Sequence, residues 1–266
     1  MLAFMNNADF VVSSSALHFE QDTLKHRLNL INNETMRNGG AYIFCNAIGC
    51  DGANLYMDGG NLICQNGEPL AVGKYHTLNE IEISTAVLNL QKVRLKRQGL
   101  TSGQRQSLDA QKLPIIPINF KLCSHGISYS KPIEISTDPP AKQFVEISSS
   151  YLWDYLRKSG GSGYFLPISG GADSTVCALI LFHLCCNIMK EIELGNLEVL
   201  VGIRQIIKDK SFMPKSPQQI MSIIAHTAYI SSPYSGEDSF NRANTFAEKI
   251  GCSHMKTEMT NLMDKF

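Results

Sequence analysis

The stretch that most constrains this chain is Tyr164–Ser174, an apolar run that ends in glycines and reads YFLPISGGADS. Its first residues, through Ile168, have the composition of a buried strand, and an apolar segment typical of a helix follows Ser174 at once. Glycines let the backbone pass close to a ligand, and the free N–H groups of the first helical turn point towards that ligand. The stretch therefore predicts a strand, a loop and a helix N-terminus that together bind an anion.

The charges of this loop restrict its phosphate chemistry. A P-loop requires a lysine for the β- and γ-phosphates, but no lysine or arginine lies between Gly160 and Lys190, which disfavours phosphoryl transfer of that type. The loop offers backbone donors, the hydroxyls of Ser169 and Ser174, and the carboxylate of Asp173. A carboxylate repels a phosphate unless a cation lies between them, so Asp173 predicts a bridging Mg²⁺. In the alternative, Asp173 only favours the helix dipole and Ser169 caps the helix of an ordinary turn.

Length and composition predict a two-domain cytoplasmic protein. The chain has 266 residues, with 24 basic and 24 acidic side chains, a balance that argues against a general nucleic-acid or anionic-membrane surface. The longest apolar run, around 177–186, is about half of a membrane span, and the N-terminus lacks a basic segment followed by an apolar one. Most of the eight cysteines lie in apolar patterns without a Cys-x-x-Cys pair, which favours reduced thiols over disulfides or structural zinc.

The first hundred residues predict one helix among several strands. The helix extends from about Glu20 to Arg37, with Leu24, Leu28 and Ile31 as its apolar stripe and Gly39 as its stop. The strands are expected at 9–14 and 41–45, both buried, at 55–57, 61–65 and 70–73, and, half-buried, at 81–85. Residues 1–100 are therefore interpreted as one α/β domain.

The chain changes character after residue 100 and again at residue 148. Residues 101–147 hold five of the ten prolines and predict a linker. Residues 148–266 form a second predicted domain, with a helix from Ser148 to Gly160 and a buried helix at 173–190. Further helices are expected at 197–208, 217–227 and 239–250, although 225–230 could instead be a second strand of the sheet.

Two sets of motifs resemble one enzyme family. The loop Ser169–Ser174, SGGADS, resembles the pyrophosphate loop of N-type ATP pyrophosphatases, which adenylate a carboxylate or carbonyl oxygen before ammonia displaces AMP. YLWDYLRK at 151–158 and GNLEVL at 195–200 are similar to eukaryotic-type glutamine-dependent NAD(+) synthetases, and NGGAYIFCN at 38–46 resembles the nitrilase-type glutaminase domain of that family. The resemblance implies an α/β chain: the C-terminal part of a nitrilase-like αββα sandwich, then the N-terminal part of a Rossmann-like ATP pyrophosphatase domain.

The resemblance also implies an activity and a site. The family makes NAD⁺ from deamido-NAD⁺ (nicotinic acid adenine dinucleotide), with ATP and Mg²⁺ as cofactors, glutamine or ammonia as the nitrogen source, and homo-oligomers as the expected assembly. Ser169 corresponds to a synthetase active-site residue and Asp173 to a magnesium ligand. The implied nucleotide-binding residues are Pro167, Ile168, Ser169, Gly170, Gly171, Ala172, Asp173 and Ser174. Ser231, Ser232 and Arg242 lie in a segment that could approach the nucleotide, but the sequence favours a solvated helix face for Arg242.

The chain departs from the family in three respects. No cysteine is followed by glutamate, so no glutaminase nucleophile is assigned, and Cys45 and Cys50 are interpreted as core residues. The family's Ser-His-His turn is altered, because one histidine, His18, is left near that position, and His18 is interpreted as a surface or loop histidine. The chain is expected to be truncated at both ends, which would leave apolar helix faces and sheet edges exposed. Another amidating or thiolating ATP pyrophosphatase, or a non-catalytic fragment, remains as an alternative.

Overall fold

The fold was analysed in a computed structural model, which describes residues 2–120, 127–232 and 235–259. The chain divides into two compact units, one made of Met1–Gly49 and Leu55–Pro140, the other of Cys50–Asn54 and Ala141–Phe266. Both units combine helices with sheets, which confirms the predicted α/β class. The division at Pro140 falls inside the segment 101–147, but that segment is not a plain linker, because a helix spans Thr101–Asp109 and another begins at Pro140.

The first half of the chain builds a mixed sheet and a small two-stranded sheet. Its elements are α1 (Leu2–Met5), β1 (Phe10–Ser15), α2 (Thr23–Asn38), β2 (Ala41–Asn46), β3 (Ile48–Cys50), β4 (Tyr56–Asp58), β5 (Leu62–Gln65), β6 (Glu68–Val72), α3 (Leu90–Gln98) and α4 (Thr101–Asp109). The four-stranded sheet has the order β1-β2-β5-β6, with β1 parallel to β2 and the other pairs antiparallel. The strands β3 and β4 form the second sheet.

Helix α2 supplies the core of the first unit. Its apolar stripe, Leu24, Leu28 and Ile31, is buried against Phe44 of β2 and Leu62 of β5. The helix ends at the C-cap Gly39, whose φ of 65° is left-handed and whose N–H donates to the carbonyl of Thr35. The predicted helix, its buried stripe and its glycine stop are confirmed.

Three expectations for the first unit are wrong. Residues 81–85 form no strand: Ile81 and Ile83 are 71% and 79% exposed, because the alternating pattern has no neighbouring strand to pair with. Strand β1 is an edge strand and is not buried, since Val12 is 61% exposed. Cys50 is buried as predicted, but Cys45 is exposed, because side chains alternate between the two faces of β2.

The second half of the chain builds a parallel sheet with helices. Its elements are α5 (Pro140–Ser159), β7 (Tyr164–Pro167), α6 (Ala172–Glu193), α7 (Leu197–Ile207), α8 (Pro217–Ile224), β8 (Ala225–Ser231), α9 (Glu237–Ile250) and β9 (Ser253–Glu258). The three strands lie in the order β7-β8-β9 and run parallel. All three strands therefore end at the same edge of the sheet.

The sequence predicts most of these helices, with corrections at their ends. Helix α5 begins at Pro140, ahead of the expected Ser148. Residues 225–231 form β8, so the alternative strand is confirmed and α8 ends at Ile224. The strand β9 was not expected, because its sequence, SHMKTE, is largely polar. Most of its side chains are exposed in the structure.

Helix α6 is more exposed than its apolar composition predicts. Leu184 and Ile188 are fully buried, but Val176 and Leu179 are 47% and 45% exposed, so the expected burial all round the helix is wrong. Within the described residues, α6 is the one helix long and apolar enough to cross a membrane by length and composition, with 28% of that apolar window buried. Core helices of globular domains can meet the same criterion, and α6 contacts α7, α8 and α9.

Candidate functional site

The predicted anion-binding loop lies at the carboxyl edge of the parallel sheet. The N–H of Ile168 donates to the carbonyl of Ala228 at 2.8 Å, which extends the pairing of β7 and β8 by one residue. The Ile168 side chain is 1% exposed and anchors the end of the strand. The chain turns away from the sheet at Ser169, so the loop opens at the edge where open α/β sheets bind their ligands.

Hydroxyl groups hold the loop in its turn. The Oγ of Ser174 accepts from the N–H of Ser169 at 3.2 Å and lies 3.2 Å from the Oγ of Ser169. The Oγ of Ser169 in turn accepts from the N–H of Gly171 at 3.3 Å. Thr175 donates through its Oγ1 to the carbonyl of Gly171 at 2.7 Å, a contact that the sequence did not predict. The two serines that were predicted as ligand-binding hydroxyls are therefore brought together across the loop.

The N-terminus of α6 points its backbone donors at this loop. Gly171 is the N-cap residue, and no side chain caps the helix end. The alternative in which Ser169 caps the helix is therefore wrong, because its Oγ accepts from Gly171 itself. Uncapped N–H groups and the helix dipole together favour an anion at this position.

Asp173 is exposed in the first turn of α6. Within the described ranges, no group of three or more His, Cys, Asp or Glu side chains could hold a metal ion by itself. A single carboxylate nevertheless fits magnesium that arrives with a nucleotide, because Mg²⁺ is commonly held by one or two carboxylates, water and phosphate oxygens. The donor set suits a metal shared with phosphate and does not suit an independent structural metal site.

The start of α9 packs against the loop. Gly170 has a φ of 77°, and a β-carbon at this residue would overlap the carbonyl oxygen of Ser239. Helix α9 begins after Gly236, also without a side-chain cap. The two uncapped helix ends, those of α6 and α9, are thus neighbours at one edge of the sheet.

Arg242 reaches the loop from α9. Its Nε donates to the carbonyl of Gly170 at 3.3 Å, and its Nη2 donates to the Oγ of Ser239 at 3.1 Å. Arg242 lies on an exposed helix face, as expected, and it also forms hydrogen bonds to the loop and to Ser239. The sequence could not give this contact, which joins residues 72 positions apart.

The other residues predicted near the nucleotide lie at the end of β8. Ser231 is 8% exposed, and its Oγ donates to the carbonyl of Thr257 at 3.2 Å, so it connects β8 to β9. Ser232 forms a turn in which its N–H donates to the Oγ of Ser235 at 2.8 Å. Both serines lie at the same edge of the sheet as the loop, and Ser232 is the more accessible of the two.

The structure also describes two residues that were assigned no glutaminase role, His18 and Cys50. His18 is exposed and its Nε2 lies 3.3 Å from the Oε1 of Glu20, as expected for a loop histidine. Burial raises the pKa of the Cys50 thiol above its ordinary value, which is the opposite of what activates a nucleophile. Cys50 therefore lacks the lowered pKa of an activated thiol.

The chain is similar to known proteins of one enzyme family. No family model matches the chain. A glutamine-dependent NAD(+) synthetase from Macaca fascicularis is 32% identical over 254 residues, which cover 94% of this chain. The chain is homologous to glutamine-dependent NAD(+) synthetases. It spans 36% of the length of that relative.

Solved synthetase structures share the fold. A glutamine-dependent NAD(+) synthetase from Cytophaga hutchinsonii superposes with a TM-score of 0.68 at 22% identity, covering 98% of this chain and 38% of the other. The enzyme from Acinetobacter baumannii, solved in complex with ADP, gives a TM-score of 0.63 at 15% identity. The match covers 99% of this chain and 36% of the Acinetobacter baumannii chain. These matches support the mixed α/β architecture of both units.

Proposed function

We propose that this chain carries the ATP-binding loop for glutamine-dependent synthesis of NAD⁺, as a ligase. In this reaction, ATP adenylates the carboxylate of deamido-NAD⁺ with release of pyrophosphate. Ammonia, derived from glutamine or supplied free, then displaces AMP and leaves the amide of NAD⁺. The glutamine-hydrolysing step is assigned to no residue of this chain.

The observation that carries the proposal is the position of the loop Ser169–Ser174. It follows β7 at the carboxyl edge of a parallel sheet and leads directly into the uncapped N-terminus of α6. The same SGGADS loop lies within a chain that is homologous over 94% of its length to synthetases of this kind. The ADP held by the Acinetobacter baumannii enzyme is consistent with nucleotide binding by this fold.

The loop residues would act on the pyrophosphate part of ATP. Backbone N–H groups at the start of α6, with the helix dipole, would stabilise the negative charge that grows on pyrophosphate as it leaves. The hydroxyls of Ser169 and Ser174, already in contact with one another, would donate to the phosphate oxygens. No lysine of the P-loop type is required, because the terminal phosphate is not transferred.

Asp173 would hold Mg²⁺ against the phosphates. When bound, the ion supplies charge neutralisation at the phosphate oxygens and orients the leaving pyrophosphate. The exposed position of Asp173 in the first turn of α6 leaves its carboxylate accessible to an ion that enters with ATP. The carboxylate would then attract the complex of magnesium and ATP and repel ATP alone.

The deciding experiment is isotope exchange between ATP and pyrophosphate by the purified 266-residue chain with Mg²⁺. We expect deamido-NAD⁺ to stimulate the exchange, and ammonium to convert the adenylate into NAD⁺. The variants Ser169→Ala and Asp173→Asn should suppress it. Ser162→Ala is a matched control, because Ser162 is an exposed serine just before β7 and should leave exchange unchanged.

Two results would contradict the proposal. One is a folded chain that shows no exchange dependent on deamido-NAD⁺. The other is exchange stimulated by a different carboxylate or carbonyl acceptor, which would instead indicate another amidating or thiolating ATP pyrophosphatase.

A further inference from the structure

The loop after β7 has an unbalanced charge. No lysine or arginine lies between Gly160 and Lys190, while Asp173 places a carboxylate in the first turn of α6. The first turn of α9, which adjoins the loop, adds the carboxylates of Glu237 and Asp238. A polyphosphate at this edge would meet negative side chains as well as backbone donors, so a cation from another part of the chain is needed beside magnesium.

Arg242 brings such a cation to the loop. It lies on α9, and its guanidinium is fixed by hydrogen bonds to the carbonyl of Gly170 and the Oγ of Ser239. A guanidinium has five N–H donors, of which these two bonds use two. The side chain is exposed, so the remaining face of the guanidinium is accessible to a ligand at the loop.

We propose that Arg242 is a nucleotide-binding residue that contacts the pyrophosphate part of ATP. The inference rests on the proposed function and deepens it by naming the cation that the loop lacks. Arginine suits this role because its planar fork of donors can hold a phosphate through two charge-assisted hydrogen bonds. The bond to Gly170 presents that fork at the glycine turn, beside the donors of α6.

A purely structural role would make a different prediction. If Arg242 only braced the loop, a neutral side chain able to donate to the carbonyl of Gly170 would suffice. If it neutralises phosphate, positive charge is what matters. Arg242→Gln keeps a donor and removes the charge, whereas Arg242→Lys keeps the charge and loses the forked geometry, so the two substitutions separate the roles.

Calorimetric titration of the 266-residue chain tests the proposal with three probes: ATP with Mg²⁺, pyrophosphate with Mg²⁺, and AMP. We expect Arg242→Gln to weaken the binding of ATP with Mg²⁺ and of pyrophosphate with Mg²⁺ by about tenfold or more, as for loss of a hydrogen bond to a charged group. The affinity for AMP should change by less than about twofold. Arg242→Lys should retain most of the affinity. Lys249→Ala is the matched control, since Lys249 lines the same groove of α9 two turns further along.

Each outcome is decisive. Three results would overturn the role of Arg242 and leave the proposed function intact. They are unchanged ATP binding in Arg242→Gln, an equal loss of affinity for AMP in that variant, and ATP affinity that is retained in Arg242→Gln but lost in Arg242→Lys. Failure of the unaltered chain to bind ATP with Mg²⁺ would overturn both. Circular dichroism checks that each variant folds, and Arg242→Met is a second neutral variant if Arg242→Gln does not.

Discussion

Gly170 lies against the backbone carbonyl of Ser239, so closely that the two residues leave no room for a β-carbon. Gly170 also has a φ of 77°, a conformation that side chains disfavour. This contact sets the distance between the loop after β7 and the first turn of α9. A carbonyl of the backbone cannot swing aside as a flexible side chain would, so any larger residue must move α9 or the loop.

We therefore expect Gly170→Ala to damage the site and the fold together. The strained conformation and the contact with Ser239 should lower the free energy of unfolding by about 1 to 3 kcal/mol and abolish measurable ATP binding. Trp153, the single tryptophan of the chain and 1% exposed, reports unfolding of the second unit by its fluorescence. Urea unfolding and calorimetry give the two measurements.

Gly195→Ala is the control for Gly170→Ala. Gly195 has a similar φ of 84° but no atom within 4 Å of the added β-carbon. It should show only the conformational cost, about 1 kcal/mol, and retain ATP binding. Equal effects of the two substitutions would show that the contact with Ser239 has no energetic role.

Removing the carboxylate of Asp173 should change how nucleotide binding depends on magnesium. We expect Asp173→Asn to weaken binding of ATP with Mg²⁺ by about tenfold, because the substitution removes the carboxylate that attracts the metal ion. The same substitution should improve binding of ATP without metal, because it removes the repulsion between the carboxylate and the phosphates. Calorimetric titration with and without a chelator measures both. An unchanged ratio of the two affinities would contradict the magnesium role.

Glu198→Gln separates this effect from loss of helix-dipole stabilisation. Glu198, like Asp173, is the acidic residue of a first helical turn, that of α7. Its substitution should leave the ratio of metal-dependent to metal-free binding unchanged.

Elements that depend on neighbouring residues were predicted correctly from the sequence, whereas elements that depend on contacts distant in sequence were not. The glycine turn at Ser169–Ser174 and the helix with its stop at Gly39 depend on neighbouring residues, and both are as expected. The strand β9 is polar and becomes a strand only because β8 pairs with it. Likewise Ile83 alternates correctly but finds no partner strand.

The same limit applied to the candidate site. Residues of the loop could be named from the sequence because one continuous segment carries them. The contact between Arg242 and Gly170 depends on how α9 packs, which no local pattern records.

A buried ion pair in the first unit gives a prediction about stability. The guanidinium of Arg27 donates to both carboxylate oxygens of Asp58, at 2.8 and 2.9 Å, and the two side chains are 6% and 0% exposed. Asn46 Nδ2 and the hydroxyl of Tyr75 also donate to Asp58, at 2.8 and 2.9 Å. Arg27→Met would leave a buried carboxylate without its counter-charge and should cost about 3 to 5 kcal/mol.

Tyr75→Phe is the milder comparison, because it removes one hydrogen bond to Asp58 and leaves the ion pair. Its expected cost is about 1 kcal/mol. Urea unfolding followed by circular dichroism measures both variants, with Trp153 fluorescence as a reference for the second unit. A smaller loss for Arg27→Met than for Tyr75→Phe would show that the ion pair does not stabilise the fold.

His254 should make the second unit sensitive to acid. Thr227 donates through its Oγ1 to the carbonyl of Ser253, so it accepts from Nδ1 of His254 at 2.8 Å. Nε2 is buried and has no hydrogen bond within the described part of the chain. Burial lowers the pKa of His254 below its ordinary value of 6.5. The unfolded chain then binds the proton more readily than the folded chain does. The free energy of unfolding is therefore highest above about pH 6.5 and decreases as the pH falls below that value.

His254→Gln removes the titrating group and should flatten the change in stability between about pH 7.5 and about pH 5.5. Urea midpoints followed by Trp153 fluorescence measure it. His226→Gln, at an exposed histidine of the same sheet, should retain the slope of the unaltered chain. A slope that survives in His254→Gln would assign the acid sensitivity to other groups.

The contact between Arg242 and Gly170 also imposes an order on folding while the protein is being synthesised. The loop leaves the ribosome 72 residues before the arginine that it contacts. A nascent chain that already displays SGGADS consequently lacks the guanidinium, and β8 and α9 must follow before the two can meet. A growing chain therefore cannot form the contact between Arg242 and Gly170 until α9 has been synthesised.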